Sequence, residues 1–160
     1  MTLNIETIRA DFPTLRREVR PGVPLVYLDS GATSLMSQPV MDAMCDFETQ
    51  HRANIHRAVH TLAEEATTLY EAARKSIAEL IGTPDVREVI LTSGTTHAIN
   101  LVANSWGRAN LKPGDTVLLT EMEHHANLVP WQMLAAQIGF NLEFIPVRED
   151  KTLDLDTLYQ

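Results

Sequence analysis

The sequence predicts an α/β protein with a mostly parallel sheet flanked by helices. Short runs of Val, Ile and Leu alternate with longer segments whose apolar residues recur at helical spacing, which is typical of βαβ units. The chain has 160 residues, 44% of them apolar and 21% charged, which is enough to bury a continuous core. We expect a helical arm over residues 1–20 and a single domain over 21–160.

The first half of the chain contains five predicted elements. They are a short amphipathic helix over 3–12, a strand over 25–28, a helix that starts after Ser37, a helix over 61–81 and a strand over 88–92. The helix over 61–81 has the clearest ends, because Thr61 and Glu64 form a capping box and Gly82 favours a left-handed stop. Ser37 is expected as an N-cap, since Pro39 follows in the first turn.

The second half predicts at least one further βαβ unit. Its elements are a loop over 93–96, a helix over 98–106, a strand over 116–120, a helix from the N-cap Asn127 to Gly139, a strand over 142–147 and the beginning of a helix over 152–160. Pro130 would then lie in the first turn of its helix. Because a domain seldom ends within such an element, we expect the chain to be part of a longer protein.

The loop over 93–96 is the first candidate binding site. A strand that runs into Gly94, Thr95 and Thr96 and then into a helix offers free N–H groups, two hydroxyls and the positive end of a helix dipole, as a phosphate site requires. The alternative is that Thr95 or Thr96 merely caps the helix. Neither the GxGxxG nor the GxxxxGK[ST] motif is present, which disfavours NAD and NTP.

Histidine and cysteine are the other candidates for chemistry. His124 and His125 follow the strand over 116–120, where an imidazole can stack on a cofactor ring or move protons. No metal site is predicted, because HExxH and Cys-His spacings are absent, although His56, His60 and His124 remain a third-ranked alternative. Cys45 is expected to be a small buried hydrophobe and not a nucleophile.

Charge and hydropathy limit the partners. The 13 Lys and Arg residues face 21 Asp and Glu residues, a net charge of -8 that disfavours nucleic acid and anionic membranes as partners. No apolar run reaches the roughly 18 residues of a membrane span, and the first 20 residues do not resemble a signal peptide. Because Cys45 is the single cysteine, we expect a reducing compartment and a cytoplasmic protein.

Four segments together resemble the SufS-type (group II) cysteine desulfurases of the class V aminotransferase family. They occur in family order and near family spacing, and they are Asp-Ser-Gly-Ala-Thr at 29–33, Asn-Ile-His-Arg-Ala-Val-His-Thr-Leu at 54–62, Thr-Ser-Gly-Thr-Thr-His-Ala-Ile-Asn-Leu-Val-Ala at 92–103 and Glu-His-His-Ala-Asn-Leu-Val-Pro-Trp-Gln at 123–132. The resemblance implies a partial fold-type I transferase that uses pyridoxal 5'-phosphate (PLP), with 21–160 as an incomplete N-terminal part of its large PLP-binding domain.

The resemblance also implies roles for individual residues. Gly94, Thr95 and Thr96 would bind the PLP phosphate, and His124 would stack on the pyridine ring as a cofactor-binding and catalytic residue. The residues implied near the substrate are Gly31, Ala32, His56 and Arg57. His97 departs from the family pattern, which usually has Glu there.

The implied reaction converts L-cysteine to L-alanine and transfers sulfur, through an enzyme-bound persulfide, to a Suf-type acceptor for iron–sulfur cluster assembly. A homodimer is implied for the full-length enzyme. The family's cofactor-binding lysine and persulfide-forming cysteine are expected beyond Gln160, so the 160-residue chain alone is predicted to be inactive. A selenocysteine lyase, another class V PLP enzyme and a non-enzymatic PLP-binding or interaction domain are the alternatives.

Overall fold

The structure, a computed structural model, describes residues 3–156 and divides into two compact units, Met1–Val89 and Ile90–Gln160. The predicted boundary at residue 20, between a helical arm and the domain, stays a prediction. Of the last predicted helix, over 152–160, residues 157–160 lie outside the described residues, and in the described part Leu153 forms an antiparallel bridge with Val147 instead of a turn of α-helix. No helix among residues 3–156 combines the length and the apolar character needed to cross a bilayer.

The first unit consists of helices and a small antiparallel hairpin. Its elements are α1 (Ile5–Ala10), a 3₁₀ turn (Pro13–Arg16), β1 (Glu18–Arg20), β2 (Val23–Pro24), α2 (Gln38–Asp46), a π-helical turn (Phe47–His51), α3 (Thr61–Ile81) and a 3₁₀ turn (Val86–Glu88). Ser37 is the N-cap of α2, as predicted, although its side chain makes no capping hydrogen bond.

Helix α3 confirms the predicted bounds but not the predicted cap. Gly82 ends the helix with φ 75°, as the left-handed stop requires. At the other end His60, and not Thr61, is the N-cap: its Nδ1 accepts a hydrogen bond from the Ala63 N–H at 3.3 Å. The imidazole thus replaces the predicted capping box.

The predictions of strands over 25–28 and 88–92 were wrong. After the Leu25 N–H donates to the Arg17 carbonyl at 2.8 Å, the backbone of 26–28 pairs with no strand among residues 3–156. Residues 89–92 likewise belong to no described strand, and a 3₁₀ turn precedes them. A strand requires a partner for its N–H and C=O groups, and apolar composition does not supply one.

The second unit contains a βαβ arrangement. Its elements are α4 (Thr95–Val102), a π-helical turn (Ala103–Gly107), α5 (Arg108–Asn110), β3 (Thr116–Thr120), α6 (His125–Ile138) and β4 (Asn141–Ile145). Strands β3 and β4 are parallel, with register from Thr116 opposite Asn141 to Thr120 opposite Ile145. Helix α6 is the crossover between them.

The core of the second unit lies between α6, the strands and the π-helical turn. Ala103, Leu134 and Phe140 are buried at its centre. The residues packed around them are Leu111, Val117, Trp131, Ala135, Ile138 and Leu142. This packing fixes α6 against the sheet and thereby positions the loop that joins β3 to α6.

Element boundaries in the second unit differ from the predictions in three elements. Helix α4 begins at Thr95 instead of 98, because Gly94 adopts φ 145° and ψ 172° and the chain turns into the helix directly after it. Helix α6 begins at His125, so Asn127 is not its N-cap and Pro130 lies inside the helix. Strand β3 has the predicted bounds, whereas β4 ends at Ile145 because Pro146 has no N–H for the ladder.

Candidate functional site

A cleft in the second unit brings together residues from both polar loops that the sequence singled out. Its volume is about 450 Å³. The first turn of α4 forms one wall, and the end of the β3–α6 loop with the first turn of α6 forms the other. The lining residues are Thr95, Thr96, Ile99, Glu123, His124, Ala126 and Asn127.

The α4 wall presents unpaired hydrogen-bond donors. Gly94 is the N-cap without a side-chain capping bond, so neither threonine caps the helix and that alternative is wrong. Within residues 3–156, the hydroxyls and the N–H groups of Thr95 and Thr96 have no hydrogen-bond partner, and both residues are exposed. The Thr92 hydroxyl donates to the Gly94 carbonyl at 3.1 Å and holds the turn. Such donors at a helix N-terminus suit an anion.

Gly94 has a backbone conformation that requires glycine. At φ 145° and ψ 172° a side chain would strain the backbone, although a Cβ there would meet no atom within 4 Å. The need for glycine at this position is therefore conformational.

On the opposite wall, His124 is the N-cap of α6. Its Nδ1 accepts a hydrogen bond from the Ala126 N–H at 3.0 Å. Because Nδ1 is an acceptor in this bond, the proton of the neutral imidazole is on Nε2. Nε2 has no hydrogen-bond partner in the described part of the chain. The capping bond therefore determines the tautomer of His124 and holds the Nδ1 edge of its ring against the start of α6.

Glu123 and Asn127 were missed as lining residues by the sequence analysis. Asn127 Nδ2 donates to Glu123 Oε2 at 2.8 Å, and Thr120 Oγ1 donates to Glu123 Oε1 at 2.9 Å. Both hydrogen bonds hold the pKa of the Glu123 carboxyl below its ordinary value of 4.5, and the bond from Asn127 has the larger effect. The i, i+4 spacing of Glu123 and Asn127 could have predicted their hydrogen bond. It was not used, because Asn127 was interpreted as an N-cap.

Residues 26–160 match the family model described as aminotransferase class-V. The chain belongs to this family. The match includes every residue of the cleft, and it agrees with the predicted α/β class.

The class V relatives include proteins named as cysteine desulfurases. One from Klebsiella pneumoniae subsp. pneumoniae is 49% identical over 158 residues, covering 99% of this chain and 39% of that protein. The apo structure of the cysteine desulfurase from Thermococcus onnurineus NA1 has a TM-score of 0.83 and 39% identity, covering 98% of this chain and 36% of that one. The cysteine desulfurase CsdA from Escherichia coli has a TM-score of 0.77 and 37% identity, covering 99% and 38% of the two chains.

These similarities confirm the predicted fold class, a partial fold-type I transferase. The chain spans about two fifths of the length of the curated relatives it matches, since the aligned region covers 39% of them.

Within the first unit, His56 has an unusual backbone. Its φ is 58°, in the left-handed region that non-glycine residues seldom adopt. Its N–H donates to Thr67 Oγ1 at 3.1 Å, its Nε2 lies 3.1 Å from Glu71 Oε1, and its ring contacts the Tyr70 ring edge-on at 5.7 Å. Arg57 follows and is exposed. The geometry holds His56 in place and leaves Arg57 accessible.

Gly31 and Ala32 lie in an exposed turn of the same unit. The Ala32 N–H donates to the Asp29 carbonyl at 3.1 Å, and the Tyr27 hydroxyl donates to the carbonyl oxygens of Asp29 at 3.1 Å and Thr33 at 2.5 Å. Tyr27 therefore closes the turn from one side. A larger cleft of this unit, about 630 Å³, contains none of the predicted site residues.

The remaining residues singled out by the sequence are His97, Cys45 and the histidines of the alternative metal site. His97, which departs from the family pattern, lies in the first turn of α4 with its Nδ1 3.1 Å from Ser93 Oγ. Cys45 is exposed on α2, so the prediction of a buried side chain was wrong; no described element covers that side of the helix. Among residues 3–156, no group of three or more His, Cys, Asp or Glu side chains could hold a metal ion.

Proposed function

We propose that this chain is part of a PLP-dependent cysteine desulfurase that converts L-cysteine to L-alanine and holds the sulfur as an enzyme-bound persulfide. The main support is the single cleft shared by Thr95, Thr96 and His124, together with relatives that are named as cysteine desulfurases. The proposal includes delivery of sulfur to a Suf-type acceptor protein for iron–sulfur cluster assembly, a cytoplasmic location and a homodimeric full-length enzyme.

The residues of the cleft fit PLP. A phosphate group needs several hydrogen-bond donors, and the first turn of α4 offers two unpaired hydroxyls and two unpaired N–H groups within the described chain. The Glu123 carboxylate lies on the opposite wall, where its oxygens accept hydrogen bonds from Thr120 and Asn127. A flat aromatic ring needs a second ring or an apolar wall, and His124 and Ile99 line the same cleft. Thr95 and Thr96 would hold the phosphate, and His124 would lie against the ring.

Bound PLP supplies an electron sink that stabilises negative charge at the substrate Cα. Thr95 and Thr96 would bind the phosphate through their hydroxyls and N–H groups and so hold the cofactor in the cleft. His124 keeps a proton on Nε2 because its Nδ1 is occupied by the Ala126 N–H at 3.0 Å. In this role the imidazole would lie against the ring and present its Nε2 proton to the cleft.

The first unit contributes the substrate-contacting residues in this proposal. Arg57 carries an exposed guanidinium, which can pair with the carboxylate of an amino acid in two parallel hydrogen bonds. The preceding His56 is held at φ 58° by the Thr67 hydroxyl and thus fixes the direction in which the chain enters Arg57. Gly31 and Ala32, in the exposed turn of the first unit, are the other residues proposed to contact the substrate.

The experiment measures alanine formed from L-cysteine and PLP binding by the full-length protein. Thr95→Val and Thr96→Val each remove one phosphate donor, and each is expected to raise the PLP dissociation constant roughly tenfold, the effect of losing one hydrogen bond to a charged group. Thr116→Val, at the opposite end of β3, is the matched control. PLP binding that is unchanged in both cleft variants would contradict the assignment of the phosphate site.

A second measurement tests the substrate. Alanine release from L-cysteine and from L-selenocysteine is compared at equal concentration with the same holoenzyme. A desulfurase releases alanine from L-cysteine and leaves the sulfur on the enzyme as a persulfide. Release from L-selenocysteine alone would reject the desulfurase in favour of a selenocysteine lyase.

A further inference from the structure

Four side chains form a continuous hydrogen-bonded chain beside His124. The Trp131 Nε1–H donates to Asn127 Oδ1 at 3.1 Å, Asn127 Nδ2 donates to Glu123 Oε2 at 2.8 Å, and Thr120 Oγ1 donates to Glu123 Oε1 at 2.9 Å. We call these four residues the Glu123 network. It starts at the last residue of β3 and ends at Trp131, in the second turn of α6.

The direction of every hydrogen bond in the Glu123 network is determined by its two ends. An indole N–H can only donate, so Asn127 must turn its oxygen towards Trp131 and its amide nitrogen towards Glu123. At the other end, Thr120 Oγ1 accepts from the Met122 N–H at 3.3 Å, which leaves its proton for Glu123. The residue at position 123 therefore meets a donor on each oxygen, and a carboxylate satisfies both.

Both ends of the network are anchored in rigid structure. Trp131 packs against the buried core around Leu134, and Thr120 is paired with Ile145 in the parallel ladder. Thr120 precedes His124 in the sequence and Asn127 follows it, and both donate hydrogen bonds to Glu123. The loop that carries His124 is thereby held at a fixed distance from the core, which allows His124 to cap α6.

We propose that Glu123 is a positioning residue for His124: by accepting hydrogen bonds from Thr120 and Asn127, it holds the His124 ring in the orientation and tautomer that face the cleft. This inference rests on the proposed function where it concerns PLP. It concerns the protein without PLP as well, because the capping bond from Ala126 to His124 Nδ1 exists in the chain alone.

The experiment exchanges the polarity of the network in the full-length protein. Glu123→Gln leaves one acceptor oxygen where the native carboxylate has two, so the hydrogen bond from Thr120 or that from Asn127 is lost or reversed, and Asn127→Asp places a carboxylate against a carboxylate. The double variant E123Q/N127D restores a complete set: Thr120 to the Gln oxygen, the Gln amide to one Asp oxygen and Trp131 to the other. The double variant keeps the same bonds as the native network, except that residue 123 donates to residue 127 instead of accepting from it.

The readouts are the ¹⁵N resonances of the His124 ring without PLP and the PLP dissociation constant. Each single variant is expected to lose the pure Nε2–H tautomer and to weaken PLP binding roughly tenfold, and the double variant to recover most of both. Leu142→Ala, which removes core packing at β4, controls for stability and is expected to lower the melting temperature without changing the His124 resonances.

Two outcomes would overturn the proposal: unchanged His124 resonances in E123Q, or a double variant whose resonances are no closer to native than those of the worse single variant. Recovery of the tautomer in the double variant, in a protein that does not bind PLP, would support the positioning role and reject the proposed function. The two ideas can therefore fail separately.

Discussion

Gly107 approaches Leu134 so closely that a Cβ on Gly107 would lie 2.8 Å from Leu134 Cδ2 and 3.4 Å from Trp131 Cζ3. Gly107 is buried at the end of the π-helical turn, where α6 crosses it. The absence of a side chain there allows α6 to seat its apolar face on the core. The same contact supports Trp131 and, through it, the Glu123 network.

Gly107→Ala is accordingly expected to destabilise the protein by about 1–3 kcal/mol, the usual cost of an overpacked core. Chemical denaturation measures the change in the free energy of unfolding. Gly31→Ala is the matched control, because a Cβ at Gly31 would meet no atom within 4 Å. Equal stability of the two variants would mean that Leu134 moves aside at no cost.

Thr67→Val is expected to loosen the backbone at His56. The Thr67 hydroxyl donates to the Ala63 carbonyl and accepts from the His56 N–H at 3.1 Å, and valine keeps the shape but removes the acceptor. The His56 amide should then exchange with solvent roughly fivefold faster, as follows from the loss of a hydrogen bond of about 1 kcal/mol. Hydrogen exchange followed by NMR measures this rate.

Thr68→Val provides the control for this prediction. Its hydroxyl donates to the Glu64 carbonyl at 2.8 Å in the same way but accepts no bond from the loop that contains His56. If both variants accelerate exchange at His56 equally, the effect comes from the helix and not from the hydroxyl that holds His56.

The acid sensitivity of the protein should depend on Glu123. The hydrogen bonds from Asn127 and Thr120 lower the pKa of Glu123 in the folded state, so this group stabilises the fold above its unfolded pKa, near 4.5. The stabilisation is lost as the pH falls below that value through the folded pKa. The free energy of unfolding of E123Q should therefore decrease less steeply with acidification below pH 4.5.

Denaturation series at several pH values test this expectation. Glu143→Gln removes the same formal charge from an exposed position on β4 and controls for net charge. A slope in E123Q as steep as that of the unmodified protein would show that Glu123 has the same pKa in the folded and unfolded states.

His60→Ala is expected to cost about 1 kcal/mol, because the Ala63 N–H at the start of α3 loses its side-chain acceptor. His60→Asn should retain most of the stability, since asparagine is a good N-cap and accepts the same bond. Thermal unfolding distinguishes the two variants. If alanine and asparagine are equally stable at position 60, the imidazole contributes nothing as a cap.

Local chemistry explains which elements were predictable. Gly82 and Gly139 end α3 and α6 with φ 75° and 90°, and a glycine at the end of an apolar stripe predicts such a stop. Strand β3 had the predicted bounds because turn residues surround its apolar run. The donors at Thr95 and Thr96 could be expected because Gly94 directly precedes an apolar-striped helix, although the strand predicted before Gly94 is absent from the described residues.

The caps of α3 and α6 were not predictable in the same way. Serine, threonine and asparagine are the usual N-caps, and Thr61 and Asn127 were natural choices. In the structure His60 and His124 accept the capping bonds instead. Asn127 is engaged by Trp131 and Glu123, one turn away on either side, so its side chain is not available for a cap.

The sequence by itself determined the α/β class, the family, the long helix α3 and the two loops that contain Thr95 and His124. These depend on periodicity, glycine conformation and motifs within short stretches of chain. The tertiary structure decided that 25–28 and 89–92 form no strand among the described residues and that Glu123 joins Thr120 to Asn127. Strand pairing and directed side-chain hydrogen bonds require a partner in space, and the position of that partner depends on how the core packs.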